Sequence, residues 1–99
     1  MTLALLLLFL AGGPAPKWQV FADCAAAYQV NAAVKDPSRS ATMSGDMAQT
    51  GADYLKAAVQ RRKDQAAVKA RIKAQAPRFT AMSREKLDKF IDACPQVEN

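Results

Sequence analysis

The sequence contains no histidine. That removes the side chain that most often activates a nucleophile, acts as a general base near neutral pH or ligates a transition metal. A glycine-rich phosphate loop, a Cys-x-x-Cys pair and a Gly-x-Ser-x-Gly elbow are missing too, so phosphate cradling, dithiol redox chemistry and hydrolase catalysis have no motif to rest on. No alternating run of Val, Ile or Thr occurs, and no Asn-Gly or Asp-Gly dipeptide marks a hairpin. Carboxylates are present, but Asp46 and Asp53 stand one heptad apart with Lys56 just beyond, and Asp88 and Asp92 stand four apart. Both pairs read as solvated helix faces. The expectation is a protein that works without catalysis, cofactor or metal.

What is present begins with an apolar block, Leu3 to Ala11, with no polar side chain. It is too short to span a bilayer and matches the core of a secretion signal, although no Lys or Arg precedes it. Residues 1–13 are therefore expected to be a signal peptide, with cleavage somewhere between 12 and 22. A cut near Leu10–Gly12 lies close to the apolar block. A cut after Val20-Phe21-Ala22 would discard Trp18 and Phe21. Gly13 stands where a lipoprotein would carry its cysteine, so no lipid anchor is expected. The competing reading makes the block a buried helix of a cytosolic protein; four consecutive leucines followed by Gly-Gly-Pro favour export to the periplasm or medium.

Residues 14–99 are expected to form one all-α domain, an up-down-up three-helix bundle with helices at about 17–34, 46–76 and 83–94. Trp18, Phe21, Ala25, Tyr28 and Ala32 recur at intervals of three and four, with Cys24 on the same face. Pro37 should stop that helix near Val34, and residues 35–45 read as a connection in which Ser38, Ser40 or Ser44 can cap the second helix. From Asp46 to Ala76 there is no proline and one glycine, Gly51, in a stretch rich in Ala, Lys, Arg and Gln. This reads as one long helix, ended by Pro77, around which the others pack. Met82 and Leu87 then flank Ser83 with the spacing of a hydrophobic staple, and Pro95 closes the last helix.

Two cysteines, Cys24 and Cys94, fall on inward faces of the first and last helices. An even count in an exported chain points to a structural disulfide, worth about 4 kcal/mol for so long a loop on the chain-entropy model. An uninterrupted middle helix conflicts with that bridge. With a tight first turn, the two cysteines would sit about 18 Å apart along the bundle, from a rise of about 1.5 Å per residue, whereas a disulfide needs Cα atoms within about 7 Å. Either residues 35–45 form an open loop that lets the first helix slide, or the middle helix breaks near Gly51.

The net charge of +5 is concentrated. Between Gln60 and Arg78, seven basic residues (Arg61, Arg62, Lys63, Lys69, Arg71, Lys73 and Arg78) meet one acid, Asp64. On a continuous helix Arg62, Lys69 and Lys73 share a face. The plainer reading is a solvated surface; the sharper one is an anion- or partner-binding surface at Arg61, Arg62, Lys69 and Lys73, meeting anionic lipid, cell-wall polymer or an acidic envelope protein. Export and the lack of aromatics within the basic run argue against nucleic acid. Alanine-rich faces, including Ala26, Ala27, Ala57, Ala66 and Ala70, leave room for a weak homodimer beside a monomer. In layout the chain also resembles the small acid-stress chaperones of the periplasm: a leader, fewer than a hundred residues, all helix and one disulfide. That resemblance implies the alternative function, a periplasmic acid or holdase-type chaperone, and carries over no site residue.

Overall fold

The structure, a computed structural model, describes residues 16–34 and 40–97; the expected signal peptide lies outside the described residues. Those residues form four α-helices and no strand: α1 (Lys17–Ala33), α2 (Ala41–Arg62), α3 (Gln65–Thr80) and α4 (Arg84–Asp92). The all-helical class holds, and the three-helix count does not. The expected middle helix is two helices, and the first helix, rather than the middle of the chain, is the element around which the others pack.

The break falls at Lys63 and Asp64, where neither glycine nor proline marks it. Lys63 takes the left-handed conformation (φ 57°) that ends α2, and its N–H donates to the Val59 carbonyl at 2.7 Å. Asp64 is extended and caps α3, its carboxylate accepting from the Ala67 N–H at 3.1 Å. Two basic residues in the last turn of α2 complement the negative end of the helix dipole, and a carboxylate at the start of α3 complements the positive end. The chain thus reverses within two residues. At its other end α2 starts at Ala41, earlier than expected, because the Ser40 hydroxyl accepts from the Met43 N–H at 3.0 Å and Gly45 is carried inside the helix. Pro77 likewise does not end α3, which runs on to Thr80; the helical bond it removes is the one to Lys73, an exposed residue.

α1 is buried almost all round. Phe21, Ala22, Cys24, Ala25, Ala26 and Ala27 are each at most 2% exposed, and they point in every direction around the axis, as a central helix requires. α2 runs antiparallel to α1: Arg61 lies over Phe21, Gly51 meets Ala25, Tyr28 and Gln29, and the Asn31 amide donates to the Met47 sulfur. α3 runs parallel to α1, with Arg71 on Asp23 and with Phe79 and Thr80 sharing a groove with Val30 and Val34. α4 then returns antiparallel, making the bundle up-down-up-down.

This topology resolves the disulfide conflict. Arg84 enters α4 beside the groove that holds Val34, and ten residues along α4 match ten residues back along α1. Cys24 and Cys94 are thereby level, bonded, with Cα atoms 6.1 Å apart. Neither a sliding first helix nor a break at Gly51 is needed. Gly51 instead marks a close approach of α1 and α2: a Cβ there would lie 3.3 Å from the Tyr28 Cβ. Nearby, Tyr54 stacks on Tyr28 (centroids 5.4 Å apart), touches Phe21 (5.9 Å), and donates its hydroxyl proton to the Pro95 carbonyl, tying the C-terminal tail to α2. At the opposite end Phe79 packs on Phe90 at 4.7 Å, and Met82 lies against the core next to the Ser83 cap of α4.

Two measurements test this packing. Gly51→Leu should cost about 1–3 kcal/mol by overpacking, whereas Gly45→Ala, with open space around it, should stabilise by up to about 1 kcal/mol; urea unfolding reads both. The Tyr54 phenol is held above its ordinary value of 10.0, by burial first and by Tyr28 second. A raised folded-state value means that its contribution is complete below pH 10.0 and lost as pH rises through the folded-state value. Stability should therefore fall on the alkaline side, less steeply in Tyr54→Phe, and an unchanged slope in that variant would refute the assignment.

Candidate functional site

The break at Lys63–Asp64 rearranges the basic surface. Arg62, Lys69 and Lys73 were expected on one stripe of one helix; they lie on two antiparallel helices, so that stripe is interrupted. Lys69 and Lys73 are exposed, one turn apart on α3. Arg61 and Arg62 fold back from the last turn of α2 over the N-terminal turns of α1. The Arg61 guanidinium sits 4.9 Å from the centre of the Phe21 ring, and that of Arg62 sits 5.3 Å from Trp18. Each pairing places a weakly hydrated cation on an electron-rich ring face, holding the guanidinium in place without neutralising it.

Two other basic residues are committed elsewhere. Arg71 grips Asp23 of α1 with two parallel bonds, Nε to Oδ1 at 2.9 Å and Nη2 to Oδ2 at 3.0 Å. The hydrogen bond to Asp23 raises the Arg71 pKa, burial opposes it, and the Asp23 charge adds to the rise. Arg78 spreads over Phe79 and Phe90, at 5.2 and 5.5 Å, and donates to Gln75. These two arginines hold α3 to α1 and to α4.

What remains is a basic end to the bundle. Lys17 opens α1 and is exposed, Trp18 beside it is half-buried, and Arg61, Arg62 and Lys63 close α2 against the same turns. The nearest acid in the chain, Asp64, has its carboxylate engaged in the cap of α3. Lys17 was not among the expected site residues. The pairing of Trp18 and Phe21, three apart at the mouth of a helix, was the signal that something would stack there, but their partners could not be read from the sequence. The alanine faces considered for self-association are partly consumed inside the fold: Ala26, Ala27 and Ala57 are buried, while Ala66 and Ala70 stay exposed.

Away from this end, α1, α3 and α4 frame an open apolar groove of about 630 Å³, lined by Val30, Val34, Phe79, Met82 and Leu87 with Arg84 at one side. Among the described residues no group of three or more Cys, Asp or Glu is placed to hold a metal, and no helix is long and apolar enough to cross a membrane. No family model matches the chain, and neither a curated protein nor a solved structure is detectably similar to it.

Proposed function

We propose that the protein acts outside the cytoplasm as a small binding module, without catalysis, and that its basic surface contacts an anionic component of the cell envelope. The observation that carries this reading is the basic end, where Arg61 and Arg62 lie over Phe21 and Trp18 with Lys63 and Lys17 beside them, four cations against the one adjoining acid, Asp64, which caps α3. Lys69 and Lys73 extend the positive surface along α3. An excess of cations of this kind raises the local concentration of anions and binds them in a salt-dependent way. A buried disulfide between the central helix and the last one suits an oxidising compartment, and a mature chain that keeps Trp18 and Phe21 is the one whose core is whole. The alternative, a periplasmic stress chaperone, draws on a different feature, the apolar groove, which would offer a client an apolar surface.

Glutamine at Arg62, Lys69 and Lys73 together should leave the far-UV spectrum unchanged and weaken salt-sensitive binding to immobilised polyanion or to acidic vesicles by about tenfold or more. If the parent protein binds no anion yet suppresses aggregation of a client protein at low pH, the envelope-binding reading gives way to the chaperone.

A further inference from the structure

The basic end is also an aromatic end, with Trp18 and Phe21 beneath its arginines. Resting on the anion-binding reading above, we infer that its partner is the surface of an anionic bilayer, with Trp18 entering the headgroup region and Arg61, Arg62, Lys63 and Lys17 meeting lipid phosphates.

Two observations converge on a bilayer rather than a soluble polymer. The first is composition: Trp18 is the only tryptophan of the chain, it is half-buried rather than sealed in the core, and it stands directly beside Lys17. An indole with an apolar body and a polar edge, next to Lys and Arg, is the chemistry that settles at a membrane–water interface; a bare polyphosphate has no apolar face to meet it. The second is geometry. Arg62 lies over the Trp18 ring, so cation and indole are presented as one unit, and partial removal of water strengthens that stack instead of breaking it. Arg61 covers Phe21 in the same way, placing a second cation over an apolar base.

Because Trp18 is the sole tryptophan, its fluorescence reports this end alone. The mature protein is titrated with phosphatidylcholine–phosphatidylglycerol vesicles, with pure phosphatidylcholine vesicles and with polyphosphate, and quenching by bromine-labelled acyl chains is measured in each vesicle. The expected result is a blue shift of Trp18 emission and quenching by the brominated lipid on acidic vesicles, weakening with salt, with neither change on neutral vesicles and no blue shift with polyphosphate. Arg62→Gln and Lys63→Gln should each lower the vesicle partition coefficient about fivefold, and Lys69→Gln, on the flank of α3, should lower it less. Binding to acidic vesicles and polyphosphate alike with Trp18 emission unmoved would overturn the bilayer contact while leaving the anion-binding surface standing. Failure to bind any of the three would overturn both.

Discussion

Burial of the middle of α1, from Phe21 to Ala27, on nearly every side is the constraint on which the rest of the fold depends. A helix enclosed by three others must be thin, and Ala22, Ala25, Ala26 and Ala27 make it so. Thinness carries a cost, because alanine burial contributes little per residue and the domain is near the size at which a core alone is marginal. Larger groups supply the rest: Tyr54 of α2 against α1's own Phe21 on one side, Val68, Ile72 and Phe79 of α3 on another. The Cys24–Cys94 bond holds α4, the shortest of the four helices, against the same axis. Gly51 allows α2 to approach where Tyr28 would otherwise stand in the way.

Much of this was legible in the sequence, and the parts that were not have identifiable causes. The ends of α1, the Ser83 cap of α4 and the disulfide could be read from spacing, capping chemistry and cysteine count. The conflict between a continuous middle helix and the bridge was also legible, and it was real. Its resolution was missed because the break at Lys63–Asp64 carries no proline or glycine; the available signal was subtler, a run of Arg-Arg-Lys succeeded at once by an aspartate that can cap. Composition drew attention to the basic 46–76 stretch as the organising element, although the alanine-rich first helix is the one enclosed. High helix propensity marks where a helix forms and says nothing about which helix the others surround.

The same error of continuity affected the candidate site. A stripe through Arg62, Lys69 and Lys73 exists only on an unbroken helix. Once the chain reverses, the arginines at the end of α2 turn onto the aromatic residues at the start of α1, and Arg71 is drawn to Asp23. Of the basic run, Arg71 and Arg78 become internal fastening, Lys69 and Lys73 stay exposed on α3, and Arg61 and Arg62 join an end that also holds Lys17, which no helical periodicity could have linked to residues more than forty positions away. The basic end depends on that rearrangement, and the rearrangement depends on α1 being the central helix.

Amide hydrogen exchange on the oxidised protein tests that dependence most directly. If α1 is the enclosed axis, the amides from Ala22 to Ala27 should be the slowest in the molecule, exchanging only through global unfolding, while most of α3 and the start of α2 open at lower free energy. Slowest exchange centred on residues 46–62, with α1 opening first, would contradict the central role of α1 and return the middle of the chain to the position of organising element.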